Sequence, residues 1–190
     1  MVQVLIVVRH AVAVDREGWA GPDLGRPLTP LGERQSAGLV VRLDAYPVRR
    51  ILSSPAVRCL QTVAPLAVRR LVPVEPFAPL GVDAPTTGLL DVLWDEHELH
   101  DAVLCTHGEI VGEVLTALAA GGRFDGAPAR WPKGSTWLLR RLPGGRVTGH
   151  YLPPLAYDPD AWPVGDDGLG TPAGIPAGTT SAPRSGEDPR

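Results

Sequence analysis

Val2-Gln3-Val4-Leu5-Ile6-Val7-Val8 runs straight into Arg9-His10-Ala11. A nearly continuous apolar run of this length, rich in β-branched residues, reads as a strand covered on both faces, the way strands of a parallel sheet are buried. In such sheets ligands sit at the carboxyl ends of the strands. The arginine and histidine therefore stand where chemistry is done. Ala102-Val103-Leu104-Cys105-Thr106 repeats the pattern and ends on His107-Gly108, and the shorter Arg50-Ile51-Leu52-Ser53 leads to Ser54-Pro55-Ala56-Val57-Arg58. A fourth, weaker segment is Arg26-Pro27-Leu28-Thr29. Each alone is ordinary, since an arginine after a buried strand can be structural and a lone histidine is more often a hydrogen-bonded core group. Together, in this order, they read as a site for a phosphoryl group.

Helical patterns separate these strands. Thr29-Pro30 is a capping hydroxyl followed by proline in the first turn, and Leu31 to Leu43 is the amphipathic body behind it. Ser54-Pro55 repeats the signal and predicts a helix from about Ala56 to Arg69, with Leu60, Ala64 and Ala67 as its apolar stripe. Pro65 is expected to kink or shorten it. Val72 to Val74 reads as a short strand, Glu75 to Thr87 as a surface excursion, and about Leu89 to Glu98 as a helix. Ile110, Val111, Val114, Leu115 and Leu118 give helical periodicity up to Gly121-Gly122. Ser135 to Arg140 and Arg146 to Leu152 form a hairpin through Pro143-Gly144-Gly145. Helices whose amino termini follow Ser54 and His107 would turn unpaired N–H groups towards an anion.

The alternation predicts an α/β fold: a three-layer α/β/α sandwich on a mostly parallel sheet, spanning residues 1–155. Residues 156–190, dense in proline and glycine with six acids against two arginines, read as a disordered acidic tail. At 190 residues and 44% hydrophobic the chain suits one core, and a net charge of −3 gives no basic field for a nucleic-acid polymer or an anionic membrane. Cys59 and Cys105 lie in apolar segments without metal or redox spacing and are expected to be buried thiols. No basic leader precedes the first strand, and a cytoplasmic protein is expected. His97-Glu98-Leu99-His100 falls short of the spacing a zinc helix needs, and no metal or cofactor is expected. Trp94, Trp131 and Trp137 read as packing residues, whereas Arg16 and Trp19 lie in the loop after His10, closer to a bound substrate.

Arg9-His10-Ala11, Arg26-Pro27-Leu28-Thr29-Pro30-Leu31-Gly32, Ser53-Ser54-Pro55 leading to Arg58 and Gln61-Thr62, and Thr106-His107-Gly108 resemble the ordered motifs of the histidine phosphatase superfamily, also called phosphoglycerate-mutase-like. Arg9-His10-Ala11 is similar to the small SixA-like phosphohistidine phosphatases. Val57 to Ala67 and Lys133-Gly134-Ser135-Thr136-Trp137 are similar to the phosphatase half of actinobacterial two-domain Nudix hydrolases, although the chain has no Nudix box. The resemblance implies His10 as a nucleophile that forms a phosphohistidine. Arg9 and Arg58 would hold the phosphoryl oxygens, with His107 and the Gly108 N–H as further donors.

Many members carry a glutamate proton donor where this chain has Val82, and Asp83, Glu75 and Glu109 are the candidates for that role. A weak acid favours substrates with good leaving groups, so the expected partner is a phosphohistidine protein or a phosphorylated small molecule such as a nucleotide phosphoanhydride. A phosphate-binding regulatory module without turnover and a phosphoglycerate mutase are the alternatives. Oligomeric state is not readable from the sequence.

Overall fold

The structure is a computed structural model, and it describes residues 3–82, 84–85, 99–122, 124 and 130–157. Asp83, the helix expected over 89–98 with Trp94, and the tail from residue 158 lie outside these. Six strands form one sheet: β1 (Gln3–Arg9), β2 (Arg50–Ser53), β3 (Val74–Pro76), β4 (Ala102–Thr106), β5 (Thr136–Arg141) and β6 (Val147–Leu152), in the order β3-β2-β4-β1-β5-β6. β3, β2, β4 and β1 pair parallel, and β5 pairs antiparallel with both β1 and β6.

Alternation along β1 builds both cores, because successive side chains of a strand point to opposite faces. Leu5 and Val7 join Leu104 and the stripe Ile110, Val111, Val114, Leu115 and Leu118 of one helix. Ile6 and Val8 join Ile51, Val103 and Cys105 beneath Leu39, Leu43, Cys59, Val63 and Leu66 of two others. Those helices are α1 (Pro30–Arg42) and α2 (Val57–Arg70) on one face and α3 (Gly108–Ala120) on the other. The three-layer architecture follows.

Several local expectations are corrected. Thr29 caps α1 by accepting from Gly32 N, but Ser54 does not cap α2, whose N-cap is Ala56 without a side-chain bond. The buried stripe of α2 is Cys59, Thr62, Val63, Leu66 and Ala67, not Leu60 and Ala64; the latter is exposed. α2 passes through Pro65 to Arg70. Proline cannot donate to the carbonyl one turn back, that of Gln61, and the Ser36 hydroxyl of α1 supplies the bond instead, 2.9 Å from Gln61 O and 2.8 Å from Thr62 O. The third strand starts at Val74 rather than Val72, which places Glu75 within it.

Candidate active site

Strand register assembles the site. Arg9 is level with Thr106 in the parallel β1–β4 pair, and His10 N donates to Thr106 O at 2.9 Å, so His10 and His107 leave adjacent strands side by side. Their rings meet edge to face with centroids 5.3 Å apart. Ser54 N donates to Cys105 O at 2.9 Å, which brings the turn into α2, and with it Arg58, to the other side of His107. Four residues from three sequence segments thus converge at the carboxyl ends of β1, β2 and β4.

The state of each side chain follows from its partners. His10 is 5% exposed, and Nδ1 lies 2.7 Å from Ala11 O. A carbonyl only accepts, so Nδ1 carries the proton and Nε2 keeps its lone pair. Burial foremost, with the electrostatic influence of His107, Arg58 and Arg9, lowers the His10 pKa to about 3 against the opposing pull of Ala11 O. Arg58, 2% exposed, donates from Nη1 to Asp23 O at 2.8 Å, pairs from Nη2 with Asp23 Oδ2 at 3.0 Å, and lies 3.3 Å from His107 Nδ1. A guanidinium has only donors, so His107 Nδ1 accepts and Nε2–H donates to Ser54 Oγ at 2.8 Å. The same hydroxyl, which also accepts from Ala56 N–H at 3.3 Å just before α2, orients the second histidine.

Arg9 donates from Nη1 to Trp131 O at 2.8 Å and packs on Gly108, where a Cβ would come within 2.7 Å of Arg9 Cζ. Only glycine lets the guanidinium lie over the start of α3. Burial lowers the Arg9 pKa and Glu109 opposes that shift. The Nε donors of both Arg9 and Arg58 are buried with no hydrogen-bond partner among the described residues. A cavity of about 690 Å³ lined by Arg9, Gly108, Glu109, Gly112 and Trp131 adjoins this point, and neither His10 nor His107 lines it.

Of the remaining sequence candidates, Glu109 lines the cavity beside Arg9 and the others are engaged elsewhere. Glu75 is held by Arg50 at 2.9 Å; this partner more than offsets partial burial and keeps its carboxyl below the usual range. Glu109 is exposed in the first turn of α3. Arg26 is committed to Asp23 at 3.1 Å and to Val14 O at 2.7 Å, Arg16 lies 3.7 Å from Asp23, and Trp19 donates to Pro22 O. Both cysteines are free and buried. Among the described residues no group of three or more His, Cys, Asp or Glu could hold a metal ion, and no helix is long and apolar enough to cross a membrane.

Asp23 is the contact that sequence reading missed. Its pairing with Arg26 is visible as an i,i+3 charge pattern, but nothing local announces its grip on Arg58, 35 residues away. Partial burial works to raise the Asp23 pKa, and Arg58 and Arg26 prevail and lower it.

An open, mixed α/β sheet with two buried histidines, the buried Arg58 and the half-buried Arg9 gathered at its strand ends fits a class: proteins that bind a tetrahedral oxyanion at a strand-end crevice. The chain matches the branch 1 model of the histidine phosphatase superfamily over residues 5–80. It is 30% identical over 157 residues to an 8-oxo-(d)GTP phosphatase of Mycolicibacterium smegmatis, covering 79% of this chain and 48% of that protein. The chain thus spans about half the length of this curated relative. Similar solved structures include SixA from Nakamurella multipartitia, with a TM-score of 0.63 and 21% identity over 82% of this chain and 98% of that one. A protein histidine phosphatase SixA complexed with tungstate gives a TM-score of 0.61 and 20% identity over 80% and 96%. At that identity the likeness concerns the fold.

Proposed function

We propose that this chain is a phosphatase in which Nε2 of His10 attacks phosphorus, the bond to the leaving group breaks, and water then hydrolyses the phosphohistidine to orthophosphate and free His10. The observation that carries this reading is the His10 ring, whose proton is fixed on Nδ1 by Ala11 O and whose buried Nε2 stays unprotonated at neutral pH. Arg9 and Arg58 would bind the phosphoryl oxygens through their guanidinium groups and stabilise charge moving onto them, with Gly108 N–H beside them; His107, whose Nδ1 accepts from Arg58 and whose Nε2–H donates to Ser54, would hold Arg58 in place rather than donate to the oxygens as the sequence suggested. The proton donor is then Asp83 or Glu109, because Glu75 is engaged by Arg50.

The substrate class in this reading is a phosphohistidine protein or a nucleotide phosphoanhydride, whose leaving groups ask little of an acid. The names of the SixA neighbours support the first and that of the mycobacterial relative the second. A cytoplasmic setting, in keeping with two unpaired thiols, is part of the proposal.

The test is an acid quench after incubation with a phosphohistidine peptide, nucleoside di- and triphosphates, sugar phosphates and phosphoglycerates in turn. Covalent phosphate on wild type, none on His10→Ala, and fastest turnover of one of the first two classes are expected. Retained binding of tungstate without any hydrolysis would favour the regulatory module. Sugar phosphates turned over fastest, with Asp83→Asn nearly inactive, would overturn the substrate class, and interconversion of phosphoglycerates would make the chain a mutase.

A further inference from the structure

We propose that Gln35 is a positioning residue for the nucleophile, acting through the peptide between Ala11 and Val12 to fix which nitrogen of His10 holds the proton and where the ring points. This rests on the phosphatase reading of His10. Val12 N–H donates to Gln35 Oε1 at 2.9 Å, and Ala11 C=O, the other end of the same planar unit, accepts from His10 Nδ1 at 2.7 Å. An amide is polarised as a whole, so an N–H that donates makes its own carbonyl a stronger acceptor. Gln35 therefore both aims the carbonyl and tightens its hold on the Nδ1 proton. Nε2 is left with its lone pair.

The neighbouring peptide is pinned as fully. Ala11 N–H donates to Thr62 Oγ1 at 2.9 Å, and His10 C=O accepts from Gly134 N–H at 3.0 Å. All four polar groups of the two peptides flanking Ala11 thus have partners, and three of those partners come from α1, α2 and the loop before β5. Gln35 is itself held in place. Its Nε2 lies 3.5 Å from Lys133 O, and its amide lies so close to Gly134 that a Cβ there would come within 2.9 Å of Gln35 Cδ and Oε1. Gly134 also has φ +81°, which L side chains rarely adopt. One glutamine thereby ties the first helix, the nucleophile turn and the 133–134 loop into a single bracket.

The experiment is ¹⁵N NMR of the histidine rings in the full chain, with His10→Asn assigning the His10 signals among the five histidines. It is run on wild type, Gln35→Leu and Gln35→Glu beside single-turnover phosphorylation of His10. Wild type is expected to hold one tautomer with the proton on Nδ1. Gln35→Leu should mix tautomers and slow phosphorylation by roughly 10- to 100-fold, the range for losing an outer partner that orients an imidazole. Gln35→Glu keeps an acceptor, so it should keep the tautomer, stay within a few-fold of the wild-type rate, and move the Nδ1 proton resonance downfield.

A folded Gln35→Leu with a single Nδ1–H tautomer and wild-type rate overturns the proposal. If Gln35→Leu does not fold, an unmoved Nδ1 resonance in Gln35→Glu overturns it. The ring readout needs no turnover, so a wild type that never forms phosphohistidine would refute the phosphatase reading while the tautomer still decides the role of Gln35.

Discussion

Arg58 illustrates how one side chain is bound by several duties. Its guanidinium meets the carbonyl and carboxylate of Asp23 on two nitrogens and the second histidine on one of them, while Nε stays unengaged among the described residues. Only a planar fork with five donors can do this from a nearly sealed position; an ammonium is a point charge that must choose. Arg58→Lys is expected to lower kcat/KM for the best substrate by roughly 100-fold or more, in line with losing a preorganised donor to developing charge. Melting of the same variant checks that the fold is retained. A loss confined to KM would mean that Arg58 binds the ground state and the transition state equally rather than favouring the transition state.

At the scale of elements, the packing of α1 on α2 compensates for a proline that local rules treat as a break. Pro65 removes the donor for Gln61 C=O, and Ser36 supplies a hydroxyl to that carbonyl and the next. Ser36 is 2% exposed, so Ser36→Ala leaves carbonyl oxygens short of a partner and is expected to cost about 1–3 kcal/mol. Pro65→Ala restores the helical donor to Gln61, so the double variant should be less destabilised than the sum of the singles. Urea midpoints of the four proteins in this cycle measure the coupling, and strict additivity would show that Ser36 does not stand in for the missing N–H. Prolines and serines were both legible in the sequence, but their partnership was not, because it depends on how two helices cross. The same holds for Ser54, which has the residue type of a helix cap but whose hydroxyl faces His107 across the gap between β2 and β4.

For the molecule as a whole, the layers were readable because the parallel strands are apolar runs and the helices carry a clear period; β1, β2 and β4 lie where Val2–Val8, Arg50–Ser53 and Ala102–Thr106 placed them. Asp23 and Gln35 were not readable as site residues, since their partners lie 35 and 23 positions away and only the assembled loop brings them into contact. Assembly also gives His10 a cost that is visible in global stability. His10 has a folded pKa lowered to about 3, against about 6.5 in an unfolded chain. Between those values the unfolded state binds the extra proton, so stability rises with pH across this window and is lost on acidification, by at most about 1.4 kcal/mol per pH unit. Asp23 and Glu75, whose folded pKa values are lowered, act further down: their contribution is present above about pH 4, the unfolded carboxyl value, and is lost as pH falls through the folded values. Wild type should therefore begin to lose stability below about pH 6.5, well before its carboxylates titrate. His10→Asn should remove that first leg and leave the carboxylate leg in place. Urea midpoints of the two proteins from neutral pH down to about pH 4.5 test this, and superimposable curves would mean that the buried imidazole takes up its proton as readily in the fold as outside it.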